Sequence, residues 1–167
     1  MSDCVINIEN IEFQAWQHGE KFSARLGAVG KRIGASKLGY NVTVLPPGKR
    51  AFPMHSHRVN EEMFFVLEGT GEIRIGSERH PIRQGDMIAC PAGGPETAHQ
   101  IINSSQSDEL RYLAVSTAMS PEIAEYPDSG KVGIMGEFAT ADGGEKDILR
   151  FICKNKMAGM EDYWEGE

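Results

Sequence analysis

Three histidines and a pair of glutamates are the residues of this sequence best suited to chemistry. His55 and His57 stand two positions apart, so on a β-strand both imidazoles point to the same face. Glu61 and Glu62 follow closely, and His99 comes much later in the chain. Imidazole nitrogens with a carboxylate oxygen suit Fe, Mn, Ni, Zn or Cu ions. The pattern therefore predicts a divalent metal site without choosing among these metals.

Strand alternation alone does not decide which glutamate is the ligand. Adjacent strand residues face opposite ways, so only one of Glu61 and Glu62 points to the histidine face. Simple counting from His57 favours Glu61, but a turn at 58–60 resets the alternation and leaves the choice open. If Glu62 faces inward, Phe64 and Val66 share its face.

Short strand-like runs surround these residues and are separated by turns rich in Gly and Pro. A short helical turn is predicted after Pro121, through 123–125. Strands are predicted at 22–29, 38–45, 62–67, 72–75, 87–90, 99–103, 110–116 and 146–154. Many short strands without a long helical period predict an all-β protein, built as an antiparallel sandwich or barrel.

The spacing around the first two histidines resembles the first motif of the cupin superfamily. That motif is Gly, five residues, His-x-His, three or four residues, Glu, six residues and Gly. This sequence has Gly48, His55, His57, Glu62 and Gly69 in the same order, with one extra residue after Gly48. Since the family motif has six residues before its last glycine, the resemblance selects the second glutamate as the ligand.

The second cupin motif is matched around the third histidine. It runs Gly, five residues, Pro-x-Gly, two residues, His, three residues and Asn. The corresponding residues here are Gly85, Pro91, Gly93, His99 and Asn103, with five residues in place of two before the histidine. The flanking segments at 126–131 and 163–164 also resemble small single-domain cupins.

The resemblance implies a fold and a ligand set. The expected fold is a double-stranded β-helix, the jelly-roll barrel of cupins, with short helical turns. A single domain is expected over 1–167, with the barrel core at about 38–118, N-terminal strands in 1–37 and a C-terminal extension in 119–167. The implied metal ligands are His55, His57, Glu62 and His99.

Three functions compete for such a domain, because the fold does not fix the reaction. The favoured one is a metal-dependent isomerase or epimerase of a small sugar or sugar phosphate. In it, Glu61 would move a proton, and Arg50 and Arg58 would meet an anionic substrate group. The alternatives are a non-haem metal dioxygenase and a non-catalytic small-molecule binding or sensor protein.

Charge and cysteine content indicate which partners and which cellular compartment to expect. The 167 residues carry a net charge of −7 without a basic run, so no nucleic-acid partner is expected. Neither a membrane span nor a signal peptide is expected, and the three cysteines form no motif, so a cytoplasmic protein is predicted. A homodimer is also predicted, with contributions from the N-terminal strands and from Tyr163 and Trp164 in the tail.

Overall fold

The computed structural model describes residues 4–140, 144 and 146–154 of the chain. In these residues the backbone forms β-strands and two short 3₁₀ helices, Ile8–Asn10 and Gly30–Ile33. The strands are β1 (Gln14–His18), β2 (Phe22–Ala28), β3 (Leu38–Leu45), β4 (Ser56–His57), β5 (Glu62–Glu68), β6 (Thr70–Ile75), β7 (Glu78–Arg83), β8 (Met87–Cys90), β9 (His99–Ile102), β10 (Leu110–Thr117), β11 (Glu122–Tyr126), β12 (Lys131–Phe138) and β13 (Asp147–Lys154).

The strands form three antiparallel sheets. A six-stranded sheet has the order β1-β2-β3-β10-β5-β8, a four-stranded sheet the order β13-β12-β11-β4, and a three-stranded sheet the order β7-β6-β9. Neighbours in the six-stranded sheet include strands far apart in sequence, as expected for a wound antiparallel barrel. The all-β prediction is therefore confirmed.

Alternating burial along the strands shows which faces form the core. In β10, Leu110, Tyr112 and Ala114 are buried while the residues between them are half-buried. In β5, Phe64 and Val66 are buried on the same face, as the sequence predicts. These side chains belong to one apolar cluster, and the ring of its member Phe64 lies 5.6 Å from the His99 ring, centroid to centroid.

The predicted helical turn after Pro121 is wrong, because residues 122–126 form strand β11. This strand pairs with β12 along its whole length and with β4 at two positions. Pairing with two neighbours supplies backbone hydrogen bonds that a single helical turn lacks, so tertiary context overrides the weak local signal.

Several polar and titratable side chains lie outside the predicted histidine cluster. Cys90 is buried, whereas His18 and His80 are exposed. The fully buried Asn103 donates from its side-chain amide to the backbone oxygens of Leu45 and Asp108, so it closes the end of β9. In the described part of the chain no helix is long and apolar enough to span a membrane.

Two expectations are left open. Tyr163 and Trp164, predicted to contribute to a dimer, lie outside the described residues. The homodimer also stays a prediction.

Candidate metal centre

The structure brings the four implied ligands to one point. His55, His57, Glu62 and His99 each offer one ligand atom, and these atoms lie within 4.8 Å of one another. The Glu62 Oε2 atom is 2.8 Å from His99 Nε2, 3.6 Å from His57 Nε2 and 4.0 Å from His55 Nε2. One carboxylate oxygen therefore faces three imidazole nitrogens.

Each of the three sheets positions part of this cluster. His57 lies on β4 of the four-stranded sheet, Glu62 begins β5 of the six-stranded sheet, and His99 begins β9 of the three-stranded sheet. His55 precedes β4 and forms two backbone hydrogen bonds with His99, of 3.2 and 2.8 Å. This bridge holds the two rings side by side, with centroids 4.9 Å apart.

The hydrogen bonds of the Nδ1 atoms determine whether the Nε2 atoms of His55 and His99 have a free lone pair. His55 Nδ1 lies 2.9 Å from Pro53 O, and His99 Nδ1 lies 3.3 Å from Thr97 O. A carbonyl oxygen only accepts, so each Nδ1 donates a proton to it, and in the neutral ring Nε2 then carries a lone pair. Metal-binding histidines are oriented in this way in many proteins.

The donor set fits a cation. The lone pair of His99 Nε2 faces Glu62 Oε2 at hydrogen-bond distance, and two acceptors cannot approach so closely unless a proton or a metal ion lies between them. Both ring nitrogens of His57 are also buried without a hydrogen-bond partner among the described residues. Three imidazoles and one carboxylate match the ligands of first-row divalent metals.

Burial and the neighbouring charges act differently on the protonation of each side chain in the cluster. Burial, reinforced by the neighbouring His99, lowers the pKa of His55 to about 4, so this ring is neutral at physiological pH. Burial alone would raise the pKa of Glu62, but contacts with His57 and His99 outweigh it and hold that pKa below its usual range. For His57, burial opposes the charged form, yet the nearby carboxylates prevail and raise its pKa.

Glu122 stands behind His57, and the sequence analysis did not single it out. Its Oε2 atom lies 3.5 Å from His57 Nδ1, on the side of the ring opposite to Glu62. The carboxylate is nearly buried and accepts hydrogen bonds from the backbone N–H groups of Arg58, Val59, Asn60 and Ile123. It also accepts from the Asn60 side-chain amide. These bonds lower the pKa of Glu122 against the effect of burial.

The other predicted site residues are placed differently. Glu61 is exposed, and its backbone N–H donates to Thr117 Oγ1 at 3.1 Å. The Arg58 guanidinium is paired with Glu125, with 2.6 Å between Nε and Oε1. Neither Glu61 nor Arg58 lines the cavity at the histidines, and Arg50 reaches it only through Gln100.

A cavity of about 220 Å³ adjoins the four ligands. Its wall is part polar and part aromatic, and the side chains other than the ligands include Asn41, Thr43, Phe52, Phe64, Gln100 and Tyr112. Tyr112 lies opposite Thr43 across the β3–β10 pair, and its ring meets Phe64 edge-on at 5.7 Å between centroids. Burial raises the pKa of the Tyr112 phenol well above its ordinary value, so the phenol keeps its proton.

Comparison with known families agrees with this architecture. Residues 41–116, which run from β3 to β10 and contain all four ligands, match the sequence profile of the cupin domain. The double-stranded β-helix and the His/His/Glu/His cluster are consistent with this domain class. Residues 41–116 of this chain therefore form a cupin domain.

Curated relatives match part of this chain and part of their own length. A 93-residue stretch is 34% identical to Cupincin of Oryza sativa subsp. indica, covering 53% of this chain and 18% of that protein. A 139-residue stretch is 25% identical to quercetin 2,3-dioxygenase of Bacillus subtilis, covering 76% of this chain and 41% of that enzyme. The chain spans between 18% and 45% of the length of the first curated relatives that it matches.

Among solved structures, the chain is similar to a sugar phosphate isomerase of the cupin superfamily from Silicibacter pomeroyi. The two share 25% sequence identity and superpose with a TM-score of 0.70, over 87% of this chain and 92% of that one. The likeness therefore includes strands outside the profile match.

Replacing Glu122 by glutamine is expected to weaken metal affinity about tenfold, the lower end of the effect of losing a partner of a ligand histidine. The amide keeps the shape but removes the charge beside His57 Nδ1. Chelator competition with Zn²⁺ measures the change, and thermal unfolding of the metal-free protein reports on the fold. Glu125→Gln, on the same strand but paired with Arg58, is the matched control. Equal affinities in both variants would contradict the role of Glu122.

Proposed function

We propose that this cupin is a metal-dependent isomerase or epimerase of a small sugar or sugar phosphate. The observation that carries the proposal is the cavity of about 220 Å³ that meets the four ligands and a polar wall. Asn41, Thr43 and Gln100 offer hydrogen-bonding groups for hydroxyl oxygens beside the cluster. The similarity to the Silicibacter pomeroyi sugar phosphate isomerase supports the same substrate class.

The residues present suit a proton transfer next to a carbonyl group. A divalent ion held by His55, His57, Glu62 and His99 would polarise a carbonyl oxygen and so acidify the adjacent C–H bond. Tyr112 holds a proton at its phenol oxygen in the cavity wall and can donate a hydrogen bond to a substrate oxygen. The proposed proton transfer by Glu61 gains no support from its exposed position outside the cavity lining.

A dioxygenase is the second candidate, and the alignment with quercetin 2,3-dioxygenase favours it because it extends over 76% of this chain. Phe52 and Phe64 give the cavity wall an aromatic portion that suits a planar substrate. A dioxygenase also needs a redox-active metal, whereas an isomerase works with a redox-inert ion.

Solvent exchange separates these functions. The full chain is loaded in turn with Zn²⁺, Mn²⁺ or Fe²⁺ and incubated in D₂O with small aldoses, ketoses and their phosphates. We expect deuterium to enter a carbon-bound position of one substrate class, without O₂ consumption. His57→Ala, expected to lose the metal, is the control. O₂ consumption without exchange would favour the dioxygenase, and ligand-induced stabilisation with neither would indicate a binding protein.

A further inference from the structure

Two guanidinium groups converge beside the cavity. Arg50 Nη1 and Arg74 Nη1 lie 3.4 and 3.3 Å from the same atom, Gln100 Oε1. Gln100 also donates from Nε2 to Phe52 O at 2.8 Å, and both Gln100 and Phe52 line the cavity. The two positive charges therefore lie one side chain away from the cavity at the histidines.

The half-buried Arg50 guanidinium has few hydrogen-bond partners. Its Nε atom is buried without a hydrogen-bond partner, and no acidic side chain in the described ranges forms an ion pair with it. Its contact with Gln100 is long, at 3.4 Å. A guanidinium offers five N–H donors, so Arg50 keeps donors available for an oxyanion.

Arg74 is held by a carboxylate at the surface. Its Nη1 and Nη2 atoms lie 2.8 and 3.1 Å from the two oxygens of Asp128, which is a fork-to-fork arrangement. Arginine binds phosphoryl oxygens with the same geometry. Asp128 lies in the turn between β11 and β12 and its side chain is 53% exposed, so solvent reaches the pair.

The same turn connects these charges to the metal centre. Tyr126, at the end of β11 and two residues before Asp128, stacks on the His55 ring with 6.1 Å between centroids and an interplanar angle of 23°. This turn therefore brings the Asp128 carboxylate, and Arg74 paired with it, to the side of the cluster where His55 lies. Because Arg79 is paired with Glu72, two guanidiniums face one carboxylate there, which leaves one positive charge uncompensated.

We propose that Arg50 and Arg74 form the subsite for the phosphoryl group of the substrate. The Asp128 carboxylate occupies the Arg74 fork in the free protein, and a phosphoryl oxygen replaces it on binding. This inference rests on the proposed function and narrows its substrate class to phosphorylated compounds. A phosphoryl group supplies two negative charges and three acceptor oxygens, which complement the two forks.

Titration with inorganic phosphate tests the subsite without turnover. The full chain and its variants are titrated by calorimetry at low ionic strength, where screening is weak. We expect Arg50→Gln and Arg74→Gln each to weaken phosphate binding by about tenfold or more, as for loss of a charged hydrogen bond. Asp128→Asn keeps the shape but removes the competing charge, so we expect binding to become tighter by up to about fivefold. Arg25→Gln, whose arginine pairs with Glu109 away from Gln100, is the control and should be unchanged.

Each outcome decides the subsite separately from the reaction. Phosphate binding that is equal in the wild type and all three variants would place the anion elsewhere, for example on the metal, and overturn the proposal. Absence of binding in both the wild type and Asp128→Asn would do the same. If phosphate binding follows the variants while no sugar exchanges deuterium, the subsite stands and the isomerase proposal fails.

Discussion

Replacing His57 by alanine is expected to abolish stoichiometric metal binding while the β-type circular dichroism spectrum persists. His57 lies between two carboxylates, with Glu62 Oε2 at 3.6 Å from Nε2 and Glu122 Oε2 at 3.5 Å from Nδ1. Removal of the ring deletes one ligand and leaves two negative charges facing a gap. Elemental emission analysis of protein purified without a chelating tag gives the metal content.

The control for this prediction is another histidine of the same chain. His80 is exposed on β7 and pairs with Glu78 at the surface, so His80→Ala should retain the metal. Full metal retention in His57→Ala would show that the cluster is not the metal site. If His57→Ala loses the β-type spectrum, the metal content of Glu62→Gln is measured instead, because that substitution changes no volume in the core.

The second large effect distinguishes the two adjacent glutamates. Glu62→Gln should lower metal affinity by more than the ~10–100-fold that is typical of losing a supporting partner, because Glu62 is predicted to bind the metal directly. Glu61→Gln should leave metal affinity unchanged, since its side chain is exposed. Competition with a metal-sensitive dye measures both constants. A larger loss in Glu61→Gln than in Glu62→Gln would reverse the assignment.

The structure shows why residue counting from the histidines was ambiguous while motif spacing was not. Residues 58–60 turn out of β4, and their backbone N–H groups all point at the Glu122 carboxylate. This loop resets the strand alternation, so β5 begins with Glu62 facing the cluster and with Phe64 and Val66 below it. The spacing of the family motif already counts the residues of this loop. The alternation rule assumes a continuous strand and therefore fails across it.

Glu122 and Tyr112 could not be predicted from the sequence for a different reason. Glu122 contacts His57 because β11 pairs with β4, and these strands are more than sixty residues apart. The residues around Pro121 favour a helical turn, so the sequence does not predict strand β11. Tyr112 is a buried residue of β10, and only the pairing with β3 places it beside the cavity. Pairing between strands that are distant in the chain cannot be read from the residues of either strand alone.

The distribution of the ligands over three sheets also has a mechanical meaning. An ion bound to His57, Glu62 and His99 would act as a cross-link between β4, β5 and β9, which belong to different sheets. Ions that bind only the folded chain add their binding free energy to folding. A bound ion would therefore connect the three sheets at these strands. Separation of one sheet from the other two would then require loss of a metal–ligand bond. The candidate metal centre would then also stabilise the fold.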